Sequence, residues 1–253
     1  MISSADISLL RLYVESGAVE TCGDSPCDFF GADAAAKPSS AGVKSFVDGF
    51  RRESAVSIGE ATRQAAALAA GCGTLSGLQA AVAGFPLCPL KKFSASTIVG
   101  VGVDSPKLLA VTGIPSAEED RTGRALSGDA GALLVRILYA IGMSVDEDAF
   151  ALPAMFYRPP GGREPTGEEL STVLPFLSRY VGILKPAAIL AFGPLPIRAL
   201  LGDDAPVTSL RGRWREYAGV PVMPTFALPF LLSNREAKKK TWEDVQAVKE
   251  RIG

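Results

Sequence analysis

Whatever chemistry this chain performs, it performs without imidazole, because none of its 253 residues is histidine. Ser-His-Asp and Cys-His nucleophiles, histidine zinc sites and histidine-stabilised leaving groups are thereby excluded. Carboxylates, lysines and hydroxyls remain. The densest carboxylate group is Glu118-Glu119-Asp120, with Asp129 close behind. These carboxylates are expected in a loop after the first strand, where one could act as a general base; the more ordinary reading is a solvated acidic loop that caps a helix or pairs with Arg121 and Arg124. Arg211, Arg213 and Arg215 flank Trp214, and Lys238 to Lys240 follow. Guanidinium forks suit phosphates and an indole suits a base. The alternative is a hairpin with Trp214 as a packing anchor and the lysines on a solvated helix face. The turn Arg158-Pro159-Pro160-Gly161-Gly162-Arg163 combines two fixed φ angles with two permissive residues, so it must be tight and rigid. Gly100-Val101-Gly102 lacks the third glycine of a dinucleotide loop, and no Gly-Lys-Ser/Thr sequence supports P-loop chemistry.

Composition narrows the class. The chain is 47% hydrophobic and 21% charged, and its 26 basic residues nearly cancel 27 acidic ones. That describes a globular protein with one substantial core, and it disfavours nucleic-acid binding by bulk charge. No run approaches the roughly 20 apolar residues of a membrane span, and the start carries Asp6 where a leader would be basic. A cytoplasmic protein without membrane contact is expected. Cys22, Cys27, Cys72 and Cys88 are too sparse for a disulfide framework and are expected to be reduced thiols.

The elements that must position these residues fall into two regions. Residues 1–84 are expected to form a helical and partly flexible extension: an amphipathic helix over 1–16, a linker from Gly17 to Gly42, a helix from Glu60 to Ala70, and another capped by Thr74 and ending near Ala83. From Lys107 short apolar runs alternate with helical stretches. Strands are predicted at Leu108–Thr112, Phe150–Met155, Ala187–Phe192 and Val220–Thr225. Helices are predicted at Ala130–Ile141, Glu168–Leu184, Pro194–Leu201 and Arg235–Arg251. The alternation predicts an α/β fold, a three-layer αβα sandwich around a mostly parallel sheet, with ligand sites at the carboxyl ends of the strands.

Several motifs in this second region occur in a recognisable order. Glu119-Asp120-Arg121-Thr122-Gly123-Arg124 is followed by Gly128 and Gly131, then by the Arg158–Arg163 turn and Pro175-Phe176-Leu177. Leu210-Arg211-Gly212-Arg213-Trp214, Pro229-Phe230-Leu231-Leu232 and Thr241-Trp242-Glu243-Asp244-Val245 complete the series. Residues 85–253 on this basis resemble the uracil-DNA glycosylase superfamily, and most closely its iron–sulfur (family 4) branch. The resemblance implies a uracil-DNA-glycosylase-like sandwich for this region.

The departures from the family pattern fall on its functional positions. Gly113 stands where the family has the carboxylate associated with the attacking water, and glycine can neither orient water nor offset oxocarbenium charge. Leu126 replaces the phenylalanine on which the flipped base stacks. Pro153 replaces the asparagine that reads the uracil edge, and it has no side-chain hydrogen-bonding group. Leu228 aligns with the histidine that stabilises the leaving uracil. Of the cluster ligands only Cys88 is kept, the other positions being Phe85, Tyr157 and Val173. Cubanes need about four thiolates, so the 4Fe-4S cluster of the branch is expected to be absent, with no other metal or cofactor. The leading expectation is a degenerate homologue without base excision that keeps the scaffold to bind DNA, single-stranded or damaged, or a protein partner. Arg158, Arg163, Arg211, Arg213 and Trp214 are its nucleic-acid-binding candidates. Two alternatives stand beside it. One is an active glycosylase on an atypical damaged base, using Glu119, Asp120 or Asp129 as a relocated carboxylate; the other is a pure protein-interaction module.

Overall fold

The structure, a computed structural model, describes residues 57–253. The expected helix over 1–16 and the linker from Gly17 lie outside them. Two helices open the described chain, α1 (Ile58–Gly71) and α2 (Leu75–Gly84). Ser57 and Thr74 cap them, each side-chain oxygen accepting from the backbone N–H three residues on, at 3.2 Å in both cases. A 3-10 turn at Pro89–Lys92 leads to β1 (Val101–Gly102) and β2 (Leu108–Thr112).

The remaining elements follow in alternation. They are α3 (Ala117–Thr122), α4 (Asp129–Ala140), β3 (Ala149–Pro153), α5 (Gly167–Ser171), α6 (Leu174–Leu184) and β4 (Ala188–Phe192). After them come α7 (Pro194–Leu201), α8 (Val207–Leu210), β5 (Arg215–Tyr217), β6 (Val220–Thr225), α9 (Leu228–Ser233) and α10 (Arg235–Ile252).

The six strands form one sheet in the order β1-β3-β2-β4-β6-β5. The inner four run parallel, and β1 and β5 close the two edges antiparallel. At the β1 edge Gly102 lies so close to its neighbour that a Cβ would sit 2.3 Å from the Ala149 carbonyl oxygen. The Gly100-Val101-Gly102 sequence therefore serves strand approach. Side chains alternate across the sheet with the period of two that strands impose. Leu109, Val111, Phe150, Leu152, Ile189 and Ala191 point into one core, which α1, α2 and α6 cover. Leu108, Ala110, Ala149, Leu190 and Met223 point into the other, covered by α4 and α10. This is the expected αβα sandwich.

Two local expectations differ from the structure. The single helix expected over Glu168–Leu184 is two helices, α5 and α6. Pro175 lacks an N–H and its ring would clash with the carbonyl of Ser171, so the chain breaks at Thr172-Val173 and restarts with proline in the first turn. The carboxylates expected in a loop after β2 lie on the short helix α3, where Ser116 and Glu119 form a reciprocal capping box. In addition, Arg211 to Trp214 form the turn leading into an edge hairpin, whose strands begin only at Arg215.

Candidate functional site

At the carboxyl ends of β2 and β4, and against the loop after β6, lies a cleft of about 410 Å3. This is where a parallel α/β sheet opens, since its helices leave the strand ends uncovered. Thr112 and Gly113 continue from β2, Phe192 ends β4, and Ala227 and Leu228 begin α9. Its walls are mostly apolar. Pro115, Pro165, Pro194, Pro196 and Pro229 all line it, so five positions present no backbone N–H. Pro194 and Pro196 occupy the start of α7 and Pro229 the start of α9, where exposed amides would otherwise favour an anion. Sequence reasoning missed these prolines, although Gly193-Pro194-Leu195-Pro196 directly after a buried strand was a legible signal.

Three of the four replaced family positions meet in this cleft: Gly113, Leu126 and Leu228. Pro153 does not line it; that residue is buried at the end of β3, beside Thr112 in register. A Cβ built on Gly113 meets nothing within 4 Å, so the missing carboxylate leaves open space. Gly131, by contrast, is required: a Cβ there would lie 2.1 Å from the Leu126 carbonyl oxygen.

The acidic candidates separate. Glu119 lines the cleft, but both of its carboxylate oxygens are held by backbone amides, Ser116 N–H at 2.8 Å and Leu126 N–H at 2.8 Å. The second bond holds Leu126 at φ 63, a left-handed conformation that a branched side chain rarely adopts. Asp120 turns away from the cleft and accepts from the Ser94 hydroxyl at 2.6 Å and the Ser96 N–H at 3.1 Å. Asp129 is exposed in the first turn of α4, where it complements the helix dipole.

The basic candidates also separate. Arg158 lines the cleft, with Nη1 donating to the Pro115 carbonyl at 2.6 Å and Nη2 resting where a side chain on Gly162 would stand. Arg163 grips Glu169 with two parallel bonds of 2.8 and 2.6 Å. That guanidinium holds the Glu169 carboxyl below the usual carboxylate range, aided by the Thr166 N–H and opposed by burial. Arg211 reaches Asp244 at 2.7 and 3.1 Å and also bonds the Lys240 carbonyl. Asp244 is only 1% exposed, and its burial pushes the carboxyl up despite Arg211 and the Thr225 hydroxyl. One face of Trp214 carries the Arg251 guanidinium, 4.5 Å from the ring centre. Arg213 is exposed. The structure thus brings Arg158 alone among the five into the cleft.

The positions aligned with cluster ligands, Phe85, Cys88, Tyr157 and Val173, are all buried in one core. Phe85 packs edge-on against Phe176 at 5.2 Å, and the Tyr157 hydroxyl donates to the Val82 carbonyl at 2.8 Å. Burial pushes the Cys88 thiol up, away from the thiolate that ligation needs. One protonated thiol among apolar side chains does not fit a cluster that takes about four thiolates. Cys72 lies elsewhere, its thiol directed to the Leu68 carbonyl, and Cys22 and Cys27 are outside the described residues.

A family model described as the uracil DNA glycosylase superfamily matches residues 99–246. The type-4 uracil-DNA glycosylase of Thermotoga maritima is 33% identical over 166 residues, 64% of this chain and 86% of that protein. The type-4 enzyme of Pyrobaculum aerophilum is 37% identical over 114 residues, 45% of this chain and 58% of that protein. A DNA polymerase of Bacillus phage SP01 is 28% identical over 141 residues, 56% of this chain and 15% of that protein. The family match runs from β1 into α10 and takes in every residue lining the cleft. This chain belongs to the uracil-DNA glycosylase superfamily.

Proposed function

We propose that this superfamily member does not excise uracil and uses the glycosylase scaffold for binding, without an iron–sulfur cluster. One observation carries the reading: the only carboxylate that both lines the cleft and was a catalytic candidate, Glu119, spends its two oxygens on the backbone of its own loop. At their own positions Gly113, Leu126 and Leu228 offer no group to activate water, stack a base by a planar face or stabilise a departing anion, and the other carboxylate lining the cleft, Glu164, is solvent-exposed. A protein partner suits this surface better than DNA. Arg163, Arg211 and Trp214 are engaged within the fold, and Arg158 is partly so, which leaves Arg213 as the phosphate-binding candidate whose side chain has no partner among the described residues.

The test is incubation of the full chain with single-stranded and duplex oligonucleotides containing uracil, scoring abasic sites and salt-dependent binding in the same samples. The expected result is no abasic product and a shallow salt slope, equivalent to about one or two phosphates. Uracil release would overturn the proposal. The second reading, an active glycosylase with Glu119 as relocated base, draws on the place of that residue in the cleft. Release abolished by Glu119→Gln, with an unchanged circular dichroism spectrum, would establish it.

A further inference from the structure

Apart from the cleft, α4, α9 and α10 enclose an open groove of about 530 Å3. Its floor is apolar: Leu231 of α9 and Val245 of α10 are buried, and Leu133 and Ile137 of α4 form one wall. Trp242 stands in the opposite wall with 40% of its surface exposed. The rim is uniformly basic. Arg136, Arg235, Lys238 and Lys239 line it, and none of the lining residues is acidic.

Among the described residues, little neutralises that charge. Lys239 pairs with Glu236 at 2.9 Å, but both side chains are about two-thirds exposed or more, so the pair is weak. Arg136 donates only to the Ala132 carbonyl of its own helix, and Lys238 makes a long 3.4 Å contact with the Leu232 carbonyl. The full chain carries a net charge of −1, so the four cations form a local feature and not part of a general basic surface.

We infer that this groove receives an acidic amphipathic helix of a partner protein. The inference names a partner class for the binding role proposed above, at a surface outside the cleft. An apolar trough between two helices accepts a third helix by ridge-into-groove packing, and an exposed tryptophan beside it is the usual form of an anchoring contact. The α4 wall runs from Leu133 to Ala140, roughly 10 Å at the helical rise. That length matches apolar anchors at i, i+3 or i+4, and i+7 on the partner. Glutamates and aspartates flanking those anchors meet the four cations, which sets orientation and speeds encounter. Duplex DNA would satisfy the cations yet leave the apolar floor uncovered.

The test uses the full chain and a fluorescein-labelled peptide of about 16 residues, built as a helix with leucines at i, i+3, i+4 and i+7 and glutamates on both flanks. Companion peptides carry lysines for the glutamates, or a central proline that prevents the helix. Anisotropy is expected to show binding at about 10 μM or tighter for the acidic helix and at least tenfold weaker binding for both companions. Trp242→Ala and the pair Lys238→Glu with Lys239→Glu should each weaken it about tenfold, and the charge-reversed protein should gain affinity for the lysine peptide. These side chains are exposed, and melting curves matching the wild type confirm that the variants fold. No binding, equal binding of all three peptides, or indifference to the variants would overturn the inference. So would displacement of the acidic helix by an oligonucleotide or by anionic vesicles, or self-association by sedimentation that the charge reversal abolishes. Uracil excision is read separately, so this inference and the non-excising reading fail on different results.

Discussion

Glu119 shows how a carboxylate in the right place becomes a structural part. Its oxygens tie the start of α3 to the turn before α4, and the bond to Leu126 N–H holds a backbone conformation that costs roughly 1 kcal/mol by itself. Glu119→Ala should therefore destabilise the protein by about 3 kcal/mol in urea denaturation, the lower end for two charge-assisted bonds. Glu169 offers a pH signature. Arg163 holds its carboxyl below the ordinary value, so the native state favours the ionised form. The contribution of that pair is complete above the unfolded value of about 4.3 and is lost as pH falls through the lower folded value. The stability difference between wild type and Glu169→Gln should be largest at neutral pH and should shrink below about pH 4, as followed by thermal melts across pH. Neither role could be inferred from residue type, because a carboxylate beside a glycine-rich loop has the same sequence appearance whether it holds water or backbone amides.

Among the elements, the clamp between the turn before β5 and the last helix holds the most buried ion pair of the described residues. Arg211 spans from that turn to Asp244 on α10, and Thr225 of β6 donates to the same carboxylate at 2.7 Å. Removing the guanidinium leaves a buried carboxyl that burial already pushes up. Arg211→Ala should cost about 3 kcal/mol at neutral pH, measured by chemical denaturation. The cost should fall toward acid pH, where Asp244 takes up a proton and no charge is left uncompensated. The sequence motifs around Arg211 and Asp244 marked both as important, and the clamp accounts for that without any nucleic acid. Pro175 makes a complementary point about elements. Its neighbours have helical periodicity throughout, and only the missing amide and the ring clash decide that α5 and α6 are separate.

Over the whole molecule, charge and shape distribute function unevenly. The cleft at the strand ends is apolar and ringed by prolines, while a groove lined by four cations, of which Lys239 is weakly paired with Glu236, lies across α4, α9 and α10. Hence the salt dependence of oligonucleotide binding through the cleft should be shallow, and the stronger ionic response should be that of acidic protein segments at the groove. The sandwich itself was legible in the chain, since buried parallel strands are continuous apolar runs and their crossover helices are periodic, and Leu108–Thr112, Pro194–Leu201 and Val220–Thr225 lie where that pattern places them. Family membership was legible too, because its motifs are local and ordered. The short edge strands β1 and β5 and the helix α9 were not, for they are too brief to carry a period and exist by pairing or packing against distant residues. What the amino-acid order determined was the set of groups available: no imidazole, a glycine, a proline and two leucines at chemical positions, one retained cysteine. The tertiary structure alone decided which of the remaining carboxylates and guanidiniums were already occupied, since hydrogen-bond partners such as Glu119 with Leu126, or Arg211 with Asp244, are chosen by proximity in the folded chain and leave no trace in residue type.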